Sequence, residues 1–174
     1  MKMPIDSKDK IFRELMEQYG TDLLRLCCMY LRDYQLAEDA VQDTFIKVYR
    51  GLDQFRGDAP VKAWIIRIAV NTCKNIIRTR WFRMERQELP ETVHAPLPDM
   101  EQRTDVHSAV SSLPVSLREV ILLYYFEGFS VREISQILKI KEGAVLQRMN
   151  RGRKRLRDVL KEEFSDDRSS GKNK

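Results

Sequence analysis

The sequence has few of the residues that build disulfide frameworks, metal sites or membrane spans. It contains 3 cysteines and 2 histidines in 174 residues, and these lack the number and spacing of a disulfide or zinc scaffold. No apolar run approaches the roughly 18 residues that a membrane span needs, and the N-terminus lacks the charged-then-apolar pattern of a signal peptide. We therefore expect a cytoplasmic protein with no direct membrane insertion, no metal and no cofactor.

The pattern of an enzyme is also missing. The acidic cluster at positions 38, 39 and 43 has no histidine beside it, and His94 and His107 flank a proline-containing segment. Cys27, Cys28 and Cys73 fall at apolar positions of predicted helices, so small core side chains are the favoured interpretation. Redox sensing by the adjacent pair Cys27 and Cys28 is the alternative. We predict a protein without catalytic residues.

The positive charge is concentrated in two blocks. Positions 61–86 carry seven basic residues and one acidic residue, and positions 139–161 carry nine basic and two acidic residues. Between them, positions 87–107 carry five acidic residues and one basic residue. Two basic blocks separated by an acidic bridge suggest two contacts with a polyanion. Ordinary solvation of helix faces by lysine and arginine is the alternative for either block alone.

Apolar periodicity predicts helices almost everywhere outside the middle of the chain, and no strand-like alternation is sustained. We expect an all-α protein of two small helical domains joined by an extended linker. The predicted divisions are a bundle at 1–85, a flexible acidic linker with prolines at 86–104, a second domain at 105–164 and a disordered tail at 165–174. Gly20 is a candidate break in the first helix, and the second helix should follow Asp33 and end near Gly51.

The second domain carries two predicted helix starts and a helix-turn-helix pattern. Ser116 precedes Glu119 by three residues, and Ser130 precedes Glu133 in the same way, so each pair predicts a capping box. The first helix should place Leu117, Val120, Ile121 and Tyr124 on one face and end at Gly128. A short helix after Ser130, a tight turn around a buried Ile140 and an arginine-rich helix then complete the pattern.

The arginine-rich helix has the composition of a DNA-recognition helix. Val145, Met149 and Leu156 share one face that can pack inward, which leaves a polar face of arginine and amide side chains that can read base edges in the major groove. The residues that should project from it are Gln147, Arg148, Asn150, Arg151 and Lys154. Arg153, Arg155, Arg157 and Lys161 lie farther along as predicted phosphate contacts. A solvated amphipathic helix is the alternative.

Two stretches carry a resemblance to a known family. The first stretch consists of AEDAVQDTFIKVY at 37–49, FRGD at 55–58 and WIIRIAVNTCKN at 64–75. The second consists of Leu113-Pro114, EGFS at 127–130 and the helix-turn-helix. In this order the chain resembles the extracytoplasmic-function (ECF) group of bacterial RNA polymerase sigma factors over nearly its whole length. The resemblance implies a promoter-specificity subunit without enzymatic activity, acting at promoters of stress or envelope type.

The resemblance also assigns roles in the first domain. It implies docking on the clamp helices of core RNA polymerase through Glu38, Asp39, Gln42 and Asp43, where the family usually has glutamate in place of Asp43. Phe55 and Asn71 match the positions that hold a flipped base of the minus-10 element. The remaining minus-10 contacts that it implies are Arg56, Lys62, Arg67, Lys74, Asn75 and Arg78, with Arg80 as a further backbone contact. Trp64 is predicted to lie in the core.

In the second domain the resemblance implies contacts with the minus-35 element and the polymerase flap. The minus-35 residues are Ala144, Leu146, Gln147, Arg148, Asn150, Arg151, Lys154 and Arg155. Leu146 stands where the family often has lysine or arginine, and Gln147 where it often has serine, so the family's minus-35 preference does not carry over to this chain. A membrane-linked anti-sigma factor is the expected inhibitory partner. A self-sufficient helix-turn-helix regulator is the second hypothesis; it would bind duplex DNA without core polymerase.

Overall fold

A computed structural model describes residues 5–85 and 105–170, and the chain divides into two compact units, 1–98 and 99–174. The described residues of the first unit form three helices: α1 (Ile5–Leu31), α2 (Tyr34–Gly51) and α3 (Val61–Glu85), with a short 3₁₀ turn (Leu52–Gln54) after α2. Those of the second unit form four: α4 (Asp105–Ser112), α5 (Val115–Ile121), α6 (Val131–Leu138) and α7 (Glu142–Ser170). The described residues contain no strand, and the predicted all-α class is confirmed.

The first unit is a bundle in which each helix packs on the other two. The apolar positions predicted from the periodicity meet at its centre, where Leu23, Ala40 and Ile65 are almost completely buried. Cys27, Cys28 and Cys73 are buried there as free thiols, as the core interpretation predicts. Gly20 does not break the first helix, because α1 continues through it to Leu31.

The corner between α1 and α2 is held by Asp33. Its carboxylate accepts the amide N–H of Leu36 at 3.0 Å and caps α2. The same carboxylate pairs with the Arg80 guanidinium of α3 at 3.4 Å. Arg80, predicted as a backbone contact to DNA, is therefore partly occupied with fixing α3 against the corner.

The N-terminal end of α1 is fastened to the segment that follows α2. Lys8 Nζ lies 2.6 Å from an Asp53 carboxylate oxygen and 4.6 Å from the centre of the Tyr49 ring. The Tyr49 hydroxyl donates to Asp9 at 2.9 Å, and this hydrogen bond is the main reason that the pKa of Tyr49 is raised. These contacts fix the 3₁₀ turn just before Phe55.

The second unit is built around α7, which contacts α4, α5 and α6. One turn of π-helix (Leu122–Phe126) extends α5, and Leu122 and Leu123 are buried in the centre. Tyr124, expected on the buried face of this helix, is 38% exposed. The wider π-turn changes the angular spacing, so the inward face passes to Leu122 and Leu123 and Tyr124 turns to solvent.

One predicted capping box is wrong and the other is confirmed. Helix α5 begins after Pro114 without a side-chain cap, and Glu119 points inward, so Ser116 and Glu119 form no box. At α6, the Ser130 amide and hydroxyl donate to Glu133 at 2.8 and 2.7 Å, and the Glu133 amide donates back at 3.3 Å. The hydrogen bonds from Ser130 lower the pKa of Glu133.

The turn between α6 and α7 closes through Lys139, which adopts a left-handed conformation with φ 55°. Ile140 is half-buried in this turn. Helix α7 continues to Ser170, into the segment 165–174 expected as a tail, while 171–174 and the predicted linker 86–104 lie outside the described residues. None of the described helices is both long enough and apolar enough to span a bilayer.

Candidate nucleic-acid interface

An acidic patch occupies the solvent face of α2. Glu38, Asp39, Gln42 and Asp43 are all exposed, while Ala37 and Ala40 on the opposite face are fully buried. Residues spaced by one, four and five positions share one face of a helix, so these four side chains form a continuous acidic and polar surface. The structure therefore brings together the four residues predicted to dock on a partner.

An aromatic pair closes the loop between α2 and α3. The Phe55 and Trp64 ring centroids are 4.7 Å apart at an interplanar angle of 31°. Trp64 is half-buried, because Phe55 covers one part of the indole and Gly51 lies under another, so the prediction of a core tryptophan is only partly correct. A Cβ atom on Gly51 would lie 2.9 Å from Trp64 Cζ2, which explains the glycine at the end of α2.

A basic and amide-bearing stripe runs along α3. Arg67, Asn71, Lys74 and Arg78 follow one another at steps of four, three and four residues, which keeps them on one helix face. Asn71, Asn75 and Arg78 are exposed, and Lys62, Arg67 and Lys74 are half-buried. Arg78 Nη2 donates to Asn75 Oδ1 at 3.2 Å. The structure thus places Arg67, Asn71, Lys74, Asn75 and Arg78 on adjoining parts of one helix face, whereas Lys62 lies in the first turn of α3, about 140° around the helix from Arg67. Arg56 is exposed in the preceding loop.

The predicted recognition helix presents a clear inward and outward face. Val145 and Met149 are buried, Leu156 is half-buried, and Gly152 packs against Ile121 of α5. The outward residues are Leu146, Gln147, Asn150, Arg151, Lys154 and Arg155, with Ala144 half-buried at the edge. Leu146 is 48% exposed, so the recognition helix presents an aliphatic side chain among its polar ones.

Arg148 departs from the expected pattern. It is half-buried, and its guanidinium donates to Glu119 Oε1 of α5 at 2.8 Å instead of projecting freely. The sequence pattern predicts a capping role for Glu119 and does not predict this contact with the recognition helix. One feature of the sequence indicates that Glu119 is buried: its neighbours Leu117, Val120 and Ile121 are apolar, and all three are core residues.

An apolar groove lies beside the recognition helix within the second unit. Its volume is about 880 Å³, and Val106, Val110, Tyr125, Phe126 and Leu160 contribute to its lining. Arg153, Arg157 and Lys161 add basic groups at the same site. Val106, Tyr125 and Phe126 are between 42% and 53% exposed, so the groove is an apolar surface that water reaches. Sequence periodicity did not identify this groove, because the π-turn that forms it is not visible in the pattern.

Taken together, the helical units, the basic stripe on α3 and the helix-turn-helix define a two-unit, all-helical DNA-binding protein. The Sigma-70 region 2 family matches residues 15–83, and the Sigma-70, region 4 family matches residues 103–156. The RNA polymerase sigma-H factor of Pseudomonas aeruginosa is 34% identical over 168 residues, covering 87% of this chain and 86% of that protein. The ECF RNA polymerase sigma factor SigM of Mycobacterium tuberculosis is 31% identical over 159 residues, covering 86% and 76%.

A solved structure agrees with these matches. The sigma factor RpoE of Bartonella quintana, in complex with the anti-sigma factor NepR, superposes with a TM-score of 0.77 at 27% identity, covering 87% of this chain and 98% of that one. The chain belongs to the ECF group of RNA polymerase sigma factors, as the resemblance predicted. It is a promoter-specific transcription initiation subunit of a family whose members are non-catalytic.

Proposed function

We propose that the first unit docks on core RNA polymerase through the acidic patch of α2. Four exposed polar or acidic side chains on the face of α2 opposite its buried alanines give a negatively charged surface that suits a basic helical partner. The clamp helices of the largest subunit are the expected partner. Electrostatic complementarity of this kind raises association rates and sets orientation.

The same unit captures the melted minus-10 element. Phe55 is already held against Trp64, so a base that leaves the duplex meets an aromatic surface whose position needs little further ordering. Stacking of one base on such a surface contributes about 1–3 kcal/mol. Asn71 supplies an amide that can read a base edge, and Arg56, Lys62, Arg67, Lys74, Asn75 and Arg78 follow the strand.

The second unit reads the minus-35 element through α7. Gln147, Asn150 and Arg151 are exposed in its first turns, and an arginine or an amide can make paired hydrogen bonds to guanine or adenine in the major groove. Leu146 offers an apolar contact for a thymine methyl, while Ala144, Lys154 and Arg155 complete the surface. Arg148 fixes the helix through Glu119, and its half-buried guanidinium is the remaining minus-35 contact of the proposal.

The apolar groove of the second unit receives the polymerase flap. An amphipathic helix with an apolar face and acidic flanks fits a groove lined by aromatic and aliphatic groups beside three basic side chains. Docking of the acidic patch and of this groove on one polymerase would place both units on one promoter.

An anti-sigma factor is the further partner that we propose. The B. quintana RpoE structure, whose fold this chain shares, is a complex with such a factor. A membrane-linked inhibitor would hold the protein in the cytoplasm close to the membrane until it is released. The amount of the full chain that purifies with membranes is compared with the amount in the supernatant, before and after envelope stress. This comparison tests this part of the proposal.

The observation that carries the proposed function is the exposed acidic patch in one unit together with the exposed recognition helix in the other. The test is transcription from a promoter library by purified core polymerase with and without the protein. We expect new start sites that share minus-10 and minus-35 sequences. Unchanged start sites, together with binding of the protein alone to duplex DNA, would favour a self-sufficient regulator instead.

A charge reversal tests the docking patch. Asp39→Arg should weaken assembly with core polymerase, whereas Glu17→Arg, the same change at an exposed position of α1, should leave assembly unchanged. Asn71→Ala should impair initiation on a promoter with a melted minus-10 element more than minus-35 duplex binding. Equal losses in both measurements would contradict the base pocket.

A further inference from the structure

Trp81 on α3 is the most exposed large apolar side chain that the structure describes, at 58%. Tryptophan buries a large apolar area when it is covered and is enriched where proteins contact partners. None of the roles described above uses this side chain. Its position on the helix indicates which partner it contacts.

Trp81 continues the basic stripe of α3. It follows Arg78 by three residues, so Arg67, Asn71, Lys74, Arg78 and Trp81 are separated by four, three, four and three residues. At about 3.6 residues per turn, these spacings keep Trp81 on the side of α3 that bears Arg67 and Lys74. Ten residues separate it from Asn71, which corresponds to about 15 Å along the axis.

The charge around Trp81 favours nucleic acid over a protein partner. The part of α3 whose side chains the structure describes, residues 61–81, carries five basic residues and no acidic one, so this surface attracts phosphates and offers little to another basic surface. An exposed aromatic ring within a positively charged groove is the arrangement with which proteins hold DNA strands, because every base has a face on which a ring can stack.

We propose that Trp81 is an aromatic contact of α3 with promoter DNA, stacking on a base about 15 Å along the helix from the base held near Asn71. This inference rests on the proposed function of α3 as a minus-10 surface and extends that surface by about two turns. Trp81 thereby lengthens the DNA footprint of the first unit.

Photo-crosslinking in the assembled polymerase complex tests the placement. The photoreactive residue p-benzoylphenylalanine is introduced separately at positions 78, 79 and 81, and the holoenzyme is irradiated on labelled promoter DNA. Thr79 is the matched control, because it is also exposed but lies about 160° around the helix from Trp81. We expect DNA cross-links from positions 78 and 81 and none from position 79.

The outcomes separate the inference from the function on which it rests. Cross-links from position 78 together with cross-links from position 81 to polymerase alone, or to nothing, would overturn the role of Trp81 and leave α3 as a DNA surface. Absence of DNA cross-links from both positions would contradict the minus-10 proposal itself.

Substitution measures the contribution of the ring. Trp81→Ala should shorten the lifetime of the open promoter complex by about 5- to 150-fold, the range expected for loss of one stacking contact. Trp81→Phe should retain most of the lifetime because it retains a ring, and Thr79→Ala should match the unaltered protein. A wild-type lifetime for Trp81→Ala, at unchanged binding to core polymerase, would refute the proposal.

Discussion

The guanidinium of Arg148 and the carboxylate of Glu119 lie 2.8 Å apart and join the recognition helix α7 to α5. The Glu119 side chain is 3% exposed and that of Arg148 is 31% exposed. The pair is therefore asymmetric, since the arginine has access to water and the glutamate does not. One turn further along α7, Gly152 packs on Ile121, so two neighbouring contacts set the rotation of the helix about its axis.

The asymmetry of this pair predicts unequal costs for its two members. Arg148→Met should destabilise the second unit more than Glu119→Gln, because it removes a cationic partner from a carboxylate that solvent cannot reach. Glu119→Gln removes the buried charge and leaves an arginine that can turn to water. We expect a difference of about 1–3 kcal/mol in the free energy of opening, measured by hydrogen exchange of the α5 and α7 amides in the full chain.

Arg151→Ala is the control for this comparison. Arg151 is exposed, so its loss should leave hydrogen exchange unchanged while it weakens promoter binding by about 1–3 kcal/mol and relaxes one minus-35 position. Equal protection in the Arg148 and Glu119 variants would show that the pair is not asymmetric in solution.

Two glycines of α7 offer a matched test of packing. A Cβ on Gly143 meets no atom within 4 Å, whereas a Cβ on Gly152 would lie 3.0 Å from Ile121 Cγ1. Alanine favours a helix over glycine by up to about 1 kcal/mol. Gly143→Ala should therefore raise the melting temperature of the second unit slightly, and Gly152→Ala should lower it, because the new methyl group would push the buried Ile121 out of its packed position.

Calorimetry of the full chain measures both glycine variants under the same conditions. A stabilising Gly152→Ala would mean that Ile121 repacks without cost and that α7 is not closely seated on α5. Promoter binding adds a second measurement: we expect Gly152→Ala to weaken minus-35 recognition and Gly143→Ala to leave it unchanged.

The helical class, the division into two units and the recognition helix were predictable because each depends on local patterns. The 3.6-residue periodicity identified α2 and α3, and the outward position of Gln147 and Arg151 follows from the inward position of Val145 and Met149. The order of the two motifs then identified the family.

What the sequence did not reveal depends on contacts between residues far apart in the chain. Ser116 and Glu119 satisfy the capping pattern, but α5 already begins at Val115, and Glu119 pairs with Arg148, 29 residues further along the chain. The exposure of Tyr124 depends on a π-turn, and the seating of Trp64 depends on Gly51. A one-dimensional pattern contains none of these relationships.

The confirmed and the failed capping boxes give a matched pair of serines. Ser130→Ala removes a hydroxyl that caps α6 and should cost about 1 kcal/mol. Ser116→Ala should cost little, because Ser116 is exposed and α5 has no side-chain cap. Chemical denaturation of the two variants at neutral pH measures the difference, and equal costs would contradict the assignment of the caps.

The pH dependence of the Ser130 cap follows from Glu133. Hydrogen bonds from Ser130 lower the pKa of Glu133 in the folded protein. The ionised carboxylate therefore stabilises the fold at any pH above the pKa that Glu133 has in the unfolded chain. That contribution is lost as the pH falls through the lowered pKa. The difference in stability between the unaltered protein and Glu133→Gln should therefore shrink on acidification, and a difference that grows would contradict this account.

The buried thiols should be unreactive in the folded protein. Cys27 and Cys73 are at most 1% exposed, with their sulfur atoms 3.7 Å apart, and Cys28 is 5% exposed. Burial, with the nearby Cys27 and carboxylates, raises the pKa of the Cys28 thiol from 9.0 to about 11. At pH 8 this lowers the thiolate fraction of Cys28 about 100-fold.

Iodoacetamide at pH 8 should therefore leave all three cysteines unmodified in the native protein and modify all three in denaturant, as mass spectrometry would show. Thr79→Cys is the control, because it places a thiol at an exposed position of α3 that should react at once. Since the pKa of Cys28 is raised by folding, its contribution to stability is present below pH 9 and is lost as the pH rises towards 11. Rapid native labelling of Cys28 would instead indicate that α1 opens locally, and would revive the redox-sensing alternative.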